Sequence, residues 1–188
     1  MLLVKFSCFY NKESPDADSI INKAIEIAGG TRFEKVIIDF DFRNRHYKAI
    51  RNDGAYQYER VFSDSLGEFK DVLSNNGYKR FLNEKPFVVQ DTMAVKYARS
   101  VNSVHYFSVL PFGLNDVSVN KTYFEKCKIK GKEYHKIKVT CEKNGGDEDF
   151  EDVFVNYVNT ENNKVDYFSY LYNVDCCDVR CMYALNDR

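Results

Sequence analysis

The chain has 188 residues, of which 44% are hydrophobic and 29% charged, with a formal net charge of -1. That length suits one domain able to bury a core without metals or disulfides, and the composition excludes both a disordered chain and a membrane-embedded bundle. The near-neutral balance removes any whole-chain electrostatic case for nucleic acid, whose binders carry a basic signature.

The first residues read as an address. Leu2, Leu3, Val4 and Phe6 lead to Ser7-Cys8, and a polar stretch from Asn11 to Asp16 follows. This is the order of a bacterial lipoprotein signal: apolar run, small residue, a cysteine to be lipidated (Cys8), then a flexible tether. Lys5 interrupts the run, so a frayed cytoplasmic N-terminus is the alternative. On this reading residues 1–17 are signal remnant and tether, and 18–188 a single domain.

Asp18 or Ser19 can cap a helix in which Ile20, Ile21, Ala24, Ile25 and Ala28 recur at three-four spacing, ended by Gly29-Gly30. A strand follows over 33–43, with Val36, Ile38, Phe40 and Phe42 on one face and Lys35, Asp39 and Asp41 on the other; Ile37 is the exception. A bulge or corner over 43–46 precedes an extended Tyr47 to Arg51. Asn52-Asp53-Gly54 predicts a hairpin, since these residues tolerate positive φ. Tyr56, Tyr58 and Phe62 then alternate with Gln57, Glu59 and Ser63. Turns at Ser65-Leu66-Gly67 and Asn75-Asn76-Gly77 separate strands over 69–74 and 78–82, and a short strand at 86–89 carries a proline fit for an edge.

Asp91 or Thr92 opens a second helix with Met93, Tyr97, Val101 and Val104 on one stripe. Its end is apolar nearly all round and should be buried; Pro111 and Gly113 stop it. Strands resume over 123–130, 134–142, 150–158, 165–172 and 179–185. The order helix, meander, helix, meander argues for antiparallel pairing. Nine to eleven such strands in one sheet would curl. The expected fold is therefore α+β: a single large curved antiparallel sheet, a half-barrel, with helices covering its concave face.

The segments RNDGAYQYER (51–60), DVLSNNGY (71–78), SVNSVHYFSVLPFGLND (100–116), KGKEYHKIKVT (130–140) and EDVFVNYVN (151–159) resemble, in order and spacing, a family of uncharacterised bacterial envelope lipoproteins. That family is similar in fold to the periplasmic lipoprotein carriers and their outer-membrane receptor, the LolA/LolB-like half-barrel. The resemblance implies an envelope location and no known catalytic residues. Fold alone does not transfer function.

Candidate sites are few. The inward set Phe40, Phe42, Tyr56, Tyr58 and Phe62, with Val153 and Val155, is expected to bind a hydrophobic or amphiphilic ligand such as a lipid or acyl chain. His105, on the apolar end of the second helix, and His135, on the strand face of Ile137, Val139 and Cys141, are either ligand contacts or core histidines bonded to a carbonyl. His46 is expected to be exposed. Arg43, Arg45 and Arg51, beside Tyr47, Tyr56 and Tyr58, either contact an anionic head group or carboxylate at the mouth of the cavity or pair across strands with Asp39, Asp41 and Glu59.

Cys127 and Cys141 read as small buried hydrophobes. Cys176, Cys177 and Cys181 match no zinc spacing and are free thiols or, in an oxidising compartment, a disulfide. The acidic run 147–152 lacks the spacing of a calcium loop. No metal and no cofactor are expected. With no GxSxG, HExxH or phosphate-binding loop, the leading expectation is a non-enzymatic, ligand-binding envelope lipoprotein. The alternatives are a scaffold lipoprotein binding another envelope protein, and a hydrolase using His135 or His105.

Overall fold

The computed structural model describes residues 15–141, 153–171 and 179–184. Cys8, Cys176, Cys177 and the acidic run 147–152 lie outside the described residues, as does the side chain of Cys181. The described part of the chain is α+β and antiparallel. It forms two compact units, one spanning Lys23–Asp116 and the other made of the described residues before Lys23 and from Val117 onward.

The first unit holds six strands: β1 (Lys35–Phe42), β2 (Arg45–Asn52), β3 (Ala55–Asp64), β4 (Gly67–Ser74), β5 (Gly77–Leu82) and β6 (Lys85–Pro86). They pair antiparallel in chain order. The second sheet has β7 (Val119–Ile129), β8 (Lys132–Cys141), β9 (Val153–Asn159), β10 (Val165–Leu171) and β11 (Val179–Ala184), again in chain order. Hydrogen bonding thus divides the strands between two sheets where one was expected. β6 is the short edge strand of the first sheet, and Pro86, with no N–H to donate, is tolerated there because no further described strand pairs on that side.

Local chemistry explains most of the boundaries. Helix α1 (Ala17–Ala28) buries Ala17, Ile21, Ala24 and Ile25, a stripe of helical period. Its cap is Asp16 rather than Asp18 or Ser19: the Asp16 carboxylate accepts the amides of Asp18 at 3.2 Å and Ser19 at 3.1 Å. Asp18 is left to pair with Lys121 on β7 at 2.9 Å. The expected corner at 43–46 is instead a tight hairpin. Arg43 and Asn44 both adopt positive φ, 50° and 58°, as a two-residue turn requires, so β1 and β2 pair from Phe42↔Arg45 onward. Asp53-Gly54 makes the expected turn in the same way.

Helix α2 (Asp91–Ser108) packs on β3, β4 and β5. Val101 and His105 are its enclosed residues, and Val101 joins Ala49 and Tyr58 in a core flanked by Ile38, Tyr56 and Leu73. Complete burial of a valine is worth roughly 1.5–3 kcal/mol. The expected all-round burial of the helix end is only partly met. Val109 and Leu114 are enclosed, but Phe107 is 37% exposed because the stripe facing the sheet is one residue wide per turn.

In the second sheet Tyr134, Ile137, Val139 and Val158 are buried. Tyr134 Oη donates to Asp166 at 3.1 Å and Asn159 Nδ2 to the same oxygen at 3.3 Å. Asn159 Oδ1 accepts the amides of Glu161 and Asn162, which fixes the β9–β10 turn. Cys127 is half-buried, whereas Cys141 is exposed because it ends its strand.

Candidate functional site

Strand register places three rows of side chains on the α2-covered face of the first sheet. One row runs Ile38, Ala49, Tyr58, Leu73, Tyr78; the next Phe40, Tyr47, Arg60, Asp71, Arg80; the third Phe42, Arg45, Phe62, Phe69, Leu82. The first is core. The middle row changes from aromatic to charged at β3, and that change builds the site.

Asp71 is wholly buried between two arginines. Its Oδ2 accepts Arg60 Nε at 2.9 Å, Arg60 Nη2 at 2.6 Å and Arg80 Nη2 at 3.0 Å, while Oδ1 accepts Arg80 Nε at 2.6 Å and the Tyr78 hydroxyl. Arg60 Nη1 donates to Ser100 Oγ on α2 at 2.8 Å, so all three nitrogens of Arg60 are committed. Burial works against the Asp71 charge, but the bonds from Arg80, Tyr78 and Arg60 outweigh it and hold the carboxyl below its ordinary range. Burial likewise opposes the Arg80 charge, and the bonds to Asp71 more than restore it. Tyr78 is pushed well above its ordinary value, by burial and then by its bond to Asp71.

Above this cluster lies a pocket of about 420 Å³. Arg45, Arg60 and Arg80 line one part of it, and Phe62, Phe69, Phe87 and Tyr97 the rest, with Ser100 and Asp64 completing the wall. The three guanidinium carbons lie 4.9, 5.7 and 5.7 Å from the Phe62 ring centroid, and Arg80 stacks on Tyr97 at 3.8 Å. Phe62 in turn stacks on Phe69 at 5.4 Å, and Phe87 meets Phe69 edge-on at 5.6 Å. Arg45 is exposed on one side, and its cation–π contact with Phe62 is its one interaction among the described residues.

Of the residues expected to bind a ligand, Phe62 and Arg45 line this pocket. Phe40 stacks on Tyr47 at 5.4 Å, Tyr56 packs on Tyr58 at 4.7 Å, and Tyr58 is core, so these three fill rather than line space. Phe42 is partly exposed under Arg43, whose guanidinium lies 5.0 Å from its ring. Arg51 spreads over Tyr58 and Phe112 at 5.1 and 5.8 Å, with Nε buried and unpartnered. Val153 and Val155 are half-buried in the second sheet.

His105 is fully enclosed. Nε2 donates to the Glu59 carbonyl at 3.1 Å, and the ring stacks on Tyr58 at 4.6 Å with Tyr47 and Phe40 at its edges. Burial lowers its pKa to about 4 against the pull of the carbonyl, so the imidazole is neutral. It is a core residue, outside the pocket lining. His135 is half-buried in the other sheet beside Tyr123, its pKa lowered by burial and then by Lys126. Among the described residues neither imidazole bonds a carboxylate, hydroxyl or thiol. His46 is exposed, as expected, and bridges Asp39 and Asp41 at 3.2 and 2.9 Å.

That bridge overturns the expected cross-strand pairing of Arg43, Arg45 and Arg51. Asp39 and Asp41 point to the face opposite Phe40 and Phe42, and Glu59 is taken by Lys70 at 2.8 Å and Gln57 at 2.6 Å. Alternation along a strand puts those acids out of reach of arginines on the α2 side. Arg60, Asp71 and Arg80 were missed, although a signal for them exists: each is a charged residue at the apolar phase of its strand, in Tyr58-x-Arg60-x-Phe62, Phe69-x-Asp71-x-Leu73 and Tyr78-x-Arg80-x-Leu82. Among the described residues no group of three or more His, Cys, Asp or Glu could hold a metal ion, and no helix is long and apolar enough to cross a membrane.

These features define an α+β protein of antiparallel sheets with an arginine-and-aromatic pocket over a buried ion cluster. Over residues 1–188 the chain matches the model of a family of unknown function, DUF6503, and it belongs to that family. No curated protein matches it.

Proposed function

We propose that this protein binds an amphiphilic small molecule, such as a lipid or acyl chain, without transforming it. The observation that supports this is the pocket of about 420 Å³ between the first sheet and α2, where an aromatic wall adjoins arginines. Its size falls within the roughly 300–1,000 Å³ of small-molecule sites, which pair apolar walls with a few polar anchors. The finer fold and location belong to the same proposal: a LolA/LolB-like half-barrel carried by a Cys8-lipidated chain in the bacterial envelope. The chain-order antiparallel meander within each of the two sheets and the resemblance of the quoted segments support it.

The test is organic extraction and mass spectrometry of protein purified from its native host, with displacement of a dansylated fatty acid from the purified chain. Co-purified amphiphile and saturable displacement are expected. Protein that carries nothing and displaces nothing refutes the binding reading. Intact mass, looking for an acyl adduct on Cys8, tests the anchor separately.

A second reading, a scaffold for another envelope protein, is favoured by the apolar pair Phe87-Val88 just past β6, with Val88 94% exposed. A stoichiometric partner whose capture is lost in Val88→Asp, with no ligand bound, would select it.

A further inference from the structure

We infer that the occupant carries a single carboxylate, held by Arg45 and Arg80 over the Phe62 ring. This rests on the amphiphile reading above and names the head group that the pocket selects.

The charge count is the first argument. Three guanidinium groups gather at Phe62, and two carboxylates oppose them, Asp71 beneath and Asp64 at the rim. One positive charge is left in excess. Asp64 is already engaged, accepting the Leu66 amide at 2.8 Å to close the β3–β4 turn. Like charges crowded beside an apolar ring repel, and a bound monoanion relieves that repulsion where a neutral or cationic head would not.

The donor inventory is the second. Arg60 is spent on Asp71 and Ser100, which makes it a fixed floor. Arg80 commits Nε and Nη2 to Asp71 and also bonds Tyr97, so it brings its charge to the site from a fixed position. Arg45 commits no nitrogen to any described residue. A planar guanidinium presents two parallel N–H groups to a carboxylate, the geometry that makes arginine the preferred partner of planar oxyanions. The body of the molecule then lies on Phe69, Phe87 and Tyr97.

The experiment is calorimetric titration of the full chain with dodecanoate, dodecanol and dodecylammonium, which share one chain and differ in head. 3-Phenylpropanoate is added to tell an acyl from an aryl source. Wild type, Arg45→Ala and Arg43→Ala are compared at low and at high salt.

Dodecanoate or phenylpropanoate should bind at least about tenfold tighter than the alcohol. Arg45→Ala should erase that preference with the melting temperature little changed, since the Arg45 side chain is exposed and makes no hydrogen bond or ion pair to a described residue. Arg43→Ala, on the β1–β2 turn outside the pocket, should keep it. Whichever acid binds identifies the source of the carboxylate. Equal affinity for all three dodecyl heads, or a preference that survives Arg45→Ala, overturns the carboxylate assignment while the amphiphile reading stands. Absence of binding by every compound overturns both.

Discussion

Replacing Asp71 by asparagine keeps the size of the side chain and removes the charge that reconciles two arginines. The carboxylate is 0% exposed and accepts five hydrogen bonds through two oxygens. An amide offers one acceptor oxygen, and its NH₂ faces donors. Breaking a buried ion pair from one side costs about 3–5 kcal/mol, because the partner charge is left uncompensated in a medium that solvates it poorly. Two partners are stranded here, Arg60 and Arg80, whose side chains are 3% and 8% exposed, so the upper part of that range is expected. In urea, with a slope of about 1–3 kcal/mol per molar, the midpoint should fall by more than about 1 M. The transition can be followed by circular dichroism and tyrosine emission, since the chain has no Trp. A companion variant, Arg60→Leu/Asp71→Leu/Arg80→Met, removes every charge together and should recover most of the loss. A loss under about 1 kcal/mol in Asp71→Asn, the range of an exposed pair, would refute the view that this cluster is a desolvated unit.

Four further outcomes follow from the packing. His105 has its pKa lowered to about 4 from 6.5, so between those values the unfolded chain binds a proton that the folded chain refuses. Stability should therefore decline by up to about 3 kcal/mol as pH falls from 6.5 to 4, and His105→Gln should flatten that slope in urea midpoints taken at pH 7 and 5. The contribution of Asp71, whose pKa is depressed, should persist above the ordinary carboxylate range and be lost only as pH drops through its lowered value. Gly113→Ala would press a methyl group onto the Tyr106 ring, with Cδ2 2.9 Å away. Overpacking of this kind costs about 1–3 kcal/mol, and a companion Tyr106→Ala should lessen the cost in thermal melts. Tyr134→Phe removes the bond to Asp166 and should lower stability by about 1 kcal/mol, leaving dodecanoate affinity unchanged because the pocket is in the other unit.

Alternation and turn chemistry determined most of the strands among the described residues, though not every boundary. Asn52-Asp53-Gly54 and Asn75-Asn76-Gly77 set their hairpins because Asp53, Gly54 and Gly77 take positive φ cheaply. The phase of Val36, Ile38, Phe40 and Phe42 fixed which face of β1 is apolar, because side chains alternate strictly along a strand. The segment over 43–46 read as a bulge or corner rather than a hairpin for the same local reason in reverse: arginine carries no turn preference, and only the backbone shows φ of 50° at Arg43. What the tertiary structure decided is which residues on that face meet. Arg60, Asp71 and Arg80 are 11 and 9 residues apart, and only the register of β3, β4 and β5 lines them up under α2. The packing of α2 takes His105 into the core, and the strand register gives Phe62 three guanidinium neighbours. Sequence patterns repeat over two or four residues, so they report a face; a site depends on pairing between strands, which arises only when the sheet forms.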